Sequence, residues 1–431
     1  MTSGQRTKII DAGALDAVMH EVFETPGAEL YALEAAAFEG GQSFYHYGRS
    51  RDAGLSSPRL YRVASISKMA VAMCALAMAE RGLFDIDEDL SRYLGWPLRN
   101  PSYPDAPISA ALVLSHRSSL RDGPGYSLPL GCALREFFEP GGRGYHDGLH
   151  FARPKPGQAS RAPGDYFSYC NLGYGVLATT LEKAAGERFD RLIKRLILEP
   201  LGTEASFNVN LLSNDAFARL SPIFRTGAEG DYTPGASWVP QVDAYGGARP
   251  ALPCQALPSL GPEALDAYVP GTNGTLFSPQ GGMRATIEDV AAIGLCLAGG
   301  GLAPNGRRVL SRESVAAMTS ERWRYDPAAR NGDNYGGLIR VSGLGLMKGA
   351  AAFDAEGGDR LLPEGGPKLW GHHADAYGLL GGCMFDPDSG KGFAHIIGGT
   401  AEDPEKLRGR HSSFYLWEER IQGALVRALG Y

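Results

Sequence analysis

The run Met69-Ala-Val-Ala-Met-Cys-Ala-Leu-Ala-Met78 consists of helix-compatible residues and carries no polar face. A helix that is apolar all round must be surrounded by protein on every side. The chain must therefore build a large core around this element, and its 431 residues suffice for one large domain or two intimately packed ones. Immediately before the run, Leu60-Tyr-Arg-Val63 reads as extended chain. Ser65 thus falls where an extended segment turns into a buried helix, and Lys68 lies one turn further on. Residues three apart on a helix share a face, with Cβ atoms roughly 5–6 Å apart. The seryl oxygen also sits near the positive end of the helix dipole. A lysine on an otherwise apolar helix is poorly solvated, and desolvation lowers its pKa toward the range of a neutral amine. The pair reads as a nucleophile with its base beside it. Taken alone, it also reads as a helix cap and a snorkelling lysine, so the rest of the chain decides.

Hydrophobic residues make up 44% of the chain and charged ones 21%, as in ordinary globular proteins. The net charge of -6 and the absence of any basic run argue against nucleic acid or an anionic membrane as partner. No stretch of 18 or more apolar residues exists, so no membrane-spanning helix is expected. Met1 to Lys8 is not followed by the apolar core of a signal peptide, which makes the cytoplasm the expected compartment. The six cysteines (Cys74, Cys132, Cys170, Cys254, Cys296, Cys383) never form Cys-x-x-Cys, and Cys74 and Cys296 read as small core residues.

Residues 11–24 carry Leu15, Val18, Met19, Val22 and Phe23 at helical spacing, with Asp11 as cap. Glu29–Phe38 and Ser43–Tyr47 read as a hairpin around Gly40-Gly41. A short buried helix is expected within 107–120, ending at His116, and further helices over 172–198 (interrupted at Gly186), 286–298 and 414–429. Gly337–Val341, Leu344–Met347, Tyr377–Phe385 and Phe393–Ile397 read as strands. The expected fold class is α+β, with one antiparallel sheet built from both chain ends, flanked by helices, and a mostly helical body inserted between. The corresponding division is 1–80 and 281–431 for the α/β part and 81–280 for the helical part. Two aperiodic, Gly-, Pro- and aromatic-rich stretches, 121–165 and 211–280, are expected to form the walls of a binding pocket.

Two further motifs carry chemistry. Tyr169-Cys-Asn171 stands just ahead of a helix; a phenol beside an ammonium relays a proton, and a carboxamide holds both a lysine and a substrate carbonyl. Gly371-His-His-Ala-Asp375 precedes the strand expected from Tyr377 and offers two adjacent histidines. His146-x-x-x-His150 has a metal-ligand spacing but no third ligand, so no metal or other cofactor is expected. No Gly-x-Ser-x-Gly occurs, which removes the nucleophile elbow of α/β-hydrolases.

The order Ser-x-x-Lys, Tyr-x-Asn, His-x-Ala resembles the serine β-lactamase and penicillin-binding-protein superfamily, in particular its class C-like branch with the family VIII carboxylesterases. The likeness extends to Pro163-Gly164, Phe167, Gly173-Tyr174, Leu114-Ser-His-Arg-Ser-Ser-Leu120, Glu199-Pro-Leu-Gly202 and Gly281-Gly-Met-Arg-Ala-Thr-Ile-Glu-Asp289. It implies Ser65 as nucleophile, Lys68 as base, Tyr169 as proton relay and Asn171 as support for the lysine and substrate. His372 matches the first position of the third motif, with His373 one register away. The backbone N–H groups of Ser65 and Asp375 would form the oxyanion hole. Ala374 and Ser119 stand where the superfamily has Gly, and His116 reads as structural. The absence of a third-motif lysine tilts the substrate toward neutral esters, because a histidine there is mostly neutral. Arg408 and Arg410 offer an alternative carboxylate contact, or surface charge.

The resulting expectation is a serine hydrolase working through a Ser65 acyl-enzyme, foremost a carboxylesterase on small to medium acyl esters, with weak β-lactam hydrolysis. An acyltransferase, a D-amino acid amidase or peptidase, and a non-catalytic binding protein on the same scaffold are the alternatives. The partner is a small-molecule ester or amide, and no oligomeric state is assigned.

Overall fold

A computed structural model describes residues 12–52, 54, 58–227, 231–233, 235–253 and 262–431. Asp11, the expected cap of the first helix, and Cys254 lie outside the described residues. Helix α1 (Ala12–Phe23) leads into a hairpin of β1 (Ala32–Glu39) and β2 (Gln42–Ser50). Gly40 and Gly41 turn it with φ of 62° and 86°, the left-handed pair that a tight hairpin needs and that glycine adopts without penalty. The short β3 (Tyr61–Arg62) and β4 (Arg284–Ala285) pair antiparallel with each other. Helix α2 (Ser67–Glu80) is buried from Ser67 to Met78, as its unbroken apolar sequence demands.

The main sheet has eight antiparallel strands among the described residues. Its later members are β5 (Trp323–Arg324), β6 (Val341–Ser342), β7 (Met347–Lys348), β8 (Trp370–Ala376), β9 (Leu379–Phe385) and β10 (Gly392–Ile397). The order is β2-β1-β10-β9-β8-β7-β6-β5, so strands from the start of the chain pair with strands from its end. Here β1 meets β10 with Leu33 opposite Ile397 and Phe38 opposite Gly392.

Period-two alternation sends the two faces to different cores. Ala36, Phe38, Cys383, Phe385, Ala394 and Ile396 pack with α2 and with α5 (Ile287–Ala298), beneath the helical body. Leu33, Ala35, Ala37, Leu380, Met384, Phe393 and Ile397 pack on the other side against α1 and α6 (Leu416–Ala428), which contributes Trp417, Ile421 and Leu425. The helical body includes α3 (Ala110–Leu114) and α4 (Leu172–Ala185), the latter ended by Gly186 in the left-handed conformation. Thr286 and Asp289 close a reciprocal capping box on α5.

Three expectations are corrected. The stretch with the two histidines, read as lying ahead of a strand, is itself strand β8, and Tyr377 belongs to the turn after it. Tyr377 and Gly378 have φ of 61° and 94°, so the chain reverses there rather than continuing extended. Gly337–Val341 and Leu344–Met347 yield only the short β6 and β7.

Candidate active site

The nucleophile turn is held from below. Val63 N–H donates to Met283 O at 2.9 Å, and Met283 N–H donates to Ser67 Oγ at 3.1 Å. Between these anchors Ala64 has φ of 43°, a left-handed conformation that costs an alanine about 1 kcal/mol. A single 3-10 turn, Ala64–Ile66, then passes into α2. Ser65 is thereby left partly exposed beside the edge of β8.

Lys68 is fully buried, and its Nζ lies 3.0 Å from Ser65 Oγ, 2.9 Å from Asn171 Oδ1 and 2.8 Å from the Gln280 carbonyl. Burial lowers its pKa to about 7, against the opposing pull of Asp122. In the neutral amine, two N–H bonds satisfy the Asn171 and Gln280 oxygens, and the lone pair is left for the Ser65 hydroxyl proton. Rings of Tyr169 and Tyr174 lie 4.7 and 5.3 Å from Nζ and stabilise the ammonium once it forms.

Tyr169 OH donates to Ser65 Oγ at 2.9 Å. Desolvation holds this phenol well above its ordinary pKa, so it keeps its proton at rest. Its ring stacks on His116 at 4.4 Å, and His116 Nδ1 accepts from Cys170 N–H at 3.1 Å. His116 is buried and held neutral by desolvation and then by Lys68, as a structural reading expects. Ser119 has φ of 65°, which explains why a glycine suits that position. Asn171 is fixed by Asp122: its backbone N–H and side-chain Nδ2 donate to the two Asp122 oxygens at 2.5 and 2.9 Å. Leu172 N–H donates to the same carboxylate at 2.9 Å.

Asp122 and the Gln280 carbonyl were not legible in the sequence. The first is a lone acid at the start of a Gly- and Pro-rich loop, and the second is a backbone atom. Only the Asp-Gly-Pro turn signal at 122–124 hinted that the loop had a fixed shape.

On the opposite wall, strand alternation separates the two histidines. The His372 ring faces Tyr169 at 6.0 Å, whereas His373 faces Phe414 at 4.8 Å on the other side of the sheet. His372 Nδ1 donates to the His373 carbonyl at 2.6 Å. Burial, then the charge of Lys68, pushes its pKa down to about 3, so the ring is neutral and Nε2 is a bare acceptor. Ala374 is buried in the main core beneath the cleft. Asp375 shares the cleft with Ser65, and its side chain accepts from Tyr415 OH at 3.1 Å. Arg408 also lines the cleft, but its guanidinium is occupied by Glu405, the Ser413 carbonyl and the Tyr415 ring. Arg410 is exposed and does not line it.

A cavity of about 830 Å³ opens on Ser65 and runs between β8 and the segment leading into α6. Among the described residues, its walls come from 335–357 and 405–418, not from the expected stretches 121–165 and 211–280. Described residues of those stretches bond to each other and pack on the hairpin: Leu128 N–H donates to Thr275 Oγ1, Asn273 Nδ2 donates to Leu128 O, and Trp238 packs edge-on against Tyr31. Within the first of them, Asp122 reaches the site from behind. Both His150 nitrogens lie against backbone carbonyls, those of Gly144 and Arg121, and the His146 ring stands 5.9 Å from the His150 ring.

The chain that carries this arrangement has relatives among known proteins. A model of the beta-lactamase family matches residues 16–411, and the chain belongs to that family. The D-alanyl-D-alanine-carboxypeptidase/endopeptidase AmpH of Escherichia coli (strain K12) is 29% identical over 194 residues, 44% of this chain and 47% of that protein. Esterase EstB of Burkholderia gladioli is 26% identical over 209 residues, 45% of this chain and 51% of the esterase. The chain thus spans about half the length of these curated relatives. Among solved structures, EstCE1, described as a hydrolase with promiscuous acyltransferase activity, shares the fold with a TM-score of 0.65. That match has 19% identity and covers 97% of this chain and 100% of EstCE1. No helix among the described residues is long and apolar enough to cross a membrane.

Proposed function

We propose that this protein is a serine hydrolase acting through a Ser65 acyl-enzyme, and that its reaction is carboxylester hydrolysis on small to medium acyl groups. The observation that carries the reading is the environment of Lys68 Nζ. Two carbonyl oxygens claim its N–H bonds, burial disfavours its charge, and the third direction is the Ser65 hydroxyl. Ser65 Oγ attacks the ester carbonyl as its proton passes to Lys68. The oxyanion is held by the backbone N–H groups of Ser65 and Asp375. Tyr169 delivers the proton to the departing alkoxide and is replenished from Lys68. Water then attacks the acyl-enzyme with the same groups working in reverse. EstB and EstCE1 support the ester reading by their descriptions.

The neutral His372 lacks the charge that would hold a substrate carboxylate, so β-lactam hydrolysis is slow in this reading. An alcohol or amine that resolves the acyl-enzyme in place of water would make the protein an acyltransferase. We assign the cytoplasm as its compartment, supported by five described cysteines that are all buried and free.

The test is a p-nitrophenyl acyl-chain series on the wild type and Ser65→Ala, with intact-mass detection of the acyl adduct and product analysis in added alcohol. Turnover and an adduct, both lost in the variant, support the reading. Failure of both across esters, amides and β-lactams rejects it in favour of a binding protein.

A further inference from the structure

Tyr335 holds a strained backbone conformation at the mouth of the cleft. Its φ is 52°, and Gly336 and Gly337 follow at 63° and 79°. A left-handed backbone suits glycine and strains a bulky residue, whose Cβ crowds the carbonyl oxygen. The turn itself is held by main-chain atoms. Ile339 N–H donates to Asn334 O at 3.0 Å, Leu338 N–H to Tyr335 O at 3.3 Å, and Ser413 Oγ to Gly336 O at 2.5 Å. A glycine at position 335 would make the same bonds. Nor does core packing call for the aromatic ring, because Tyr335 is 47% exposed. Strained residues that their surroundings over-determine gather where a protein meets its ligand.

The ring reaches the reacting end of the cleft. Tyr335 lines the cavity together with Ser65, and its ring meets that of Tyr169 at 6.0 Å, edge to face at 70°. Tyr169 and Leu338 in turn pack on the cluster that holds Ile339 and Met347. In the hydrolase reading Tyr169 gives its proton to the departing alkoxide, so the alcohol portion of an ester must lie against Tyr169 as the bond breaks. There it meets Tyr335, with Leu338, Ile339, Met347 and Phe353 along the same cavity. That surface is aromatic and aliphatic, and it suits a flat apolar group.

We propose that Tyr335 is a specificity-determining residue that packs on the alcohol portion of the ester, and that esters of aromatic, benzyl-type alcohols are the preferred substrates. The inference rests on the Ser65 hydrolase reading and names the leaving-group class of its substrate. As the Ser65 ester forms, the bond from acyl carbon to alkoxy oxygen breaks, and the benzyl alkoxide leaves with the Tyr169 proton. An acyl acceptor enters where that alcohol left, so the same ring favours aromatic alcohols as acceptors when an alcohol rather than water resolves the acyl-enzyme.

The experiment compares benzyl butyrate with cyclohexylmethyl butyrate, which share an acyl group and differ in the flatness of the alcohol ring. Hydrolysis is followed by pH-stat titration. Both esters give the same butyryl-enzyme, so a difference in kcat/KM reports acylation, the step that sees the alcohol. The wild type is expected to prefer the benzyl ester by about fivefold. Tyr335→Phe should keep that ratio, and Tyr335→Leu should bring it close to one. A general loss of structure lowers both esters alike and cancels in the ratio. With both alcohols added together, benzyl alcohol should capture more of the butyryl group than cyclohexylmethanol in the wild type, and no more in Tyr335→Leu. A wild-type ratio near one, a preference that survives in Tyr335→Leu, or one that is lost in Tyr335→Phe overturns the inference and leaves the hydrolase reading intact. Absence of turnover and of any adduct with these esters and with p-nitrophenyl butyrate rejects the hydrolase reading, and the inference falls with it.

Discussion

The two walls of the cleft are built on opposite principles. On the wall of α2 and α4, polar atoms satisfy one another: Asp122 holds Asn171, Asn171 and Gln280 hold Lys68, and Lys68 and Tyr169 both reach Ser65. On the wall of β8 and the segment before α6, His372 Nε2 has no partner among the described residues, and desolvation pushes the buried Glu418 up to about 8 against the pull of Arg408. The difference teaches where a protein completes its own chemistry and where it leaves valences for a ligand. A reacting group must be held ready before substrate arrives, whereas a recognising group gains by being unsatisfied until then.

Disturbing the first wall should have the largest effect. Lys68→Met removes the base and should lower kcat/KM by about 10³-fold or more. The same change should raise stability near neutral pH by about 2 kcal/mol, because a methionine there carries no desolvation penalty. The sign follows from the depressed pKa. The unfolded lysine binds a proton up to about pH 10.5 and the folded one only to about pH 7, so the wild-type penalty is full below pH 7 and fades as pH rises through that window. Thermal melts across that range, read alongside activity, check both halves.

Next comes Asp122→Asn, which breaks the support of Asn171 without touching Ser65. A loss of about 10- to 100-fold is expected, comparable to the loss of outer-shell partners elsewhere. Because Asp122's charge raises the Lys68 pKa, its removal should move the acidic limb of the pH–rate profile below pH 7. A merely structural role would lower the rate and leave the limb in place. Smaller again is His116→Ala, which unseats the ring under Tyr169 and should reduce kcat several-fold with little change in KM.

On the second wall the smallest catalytic effect and a clear stability effect are expected. Glu418 has a folded pKa raised to about 8 from an ordinary value near 4.5, so between those values the folded state binds more protons than the unfolded one. Stability falls as pH rises through that window. Glu418→Gln should flatten this dependence and gain about 1–2 kcal/mol at pH 8. Chemical denaturation at pH 5 and pH 8 measures it; an unchanged slope would mean that Glu418 is already compensated.

The contrast also explains what could be read from the chain. The first wall was legible because its residues lie in local motifs: Ser65 and Lys68 share one helical face, and Tyr169 and Asn171 flank the start of a helix. The α+β architecture followed from a glycine-turned hairpin at one end and apolar strands at the other. Strand β8 was missed because Gly371-His-His-Ala-Asp375 lacks apolar alternation; neighbouring strands and α6, rather than its own pattern, make it extended. Asp122, the Gln280 carbonyl and the grouping of Asp375, Glu405 and Tyr415 were out of reach for a related reason. Each depends on segments far apart in sequence, such as Asp375 and Glu405 meeting through Tyr415. The loops 121–165 and 211–280 misled because aromatic, Gly-rich composition marks shaped loops without saying what they wrap.

The central claim, that a neutral Lys68 activates Ser65, is tested most directly by the pH dependence of labelling with a fluorophosphonate. The labelled residue is mapped by peptide mass spectrometry. The account predicts a single adduct on Ser65, formed at a rate that rises with pH through about 7 as Lys68 loses its proton. An adduct on another residue, or a Ser65 labelling rate that is flat across that range, would contradict it.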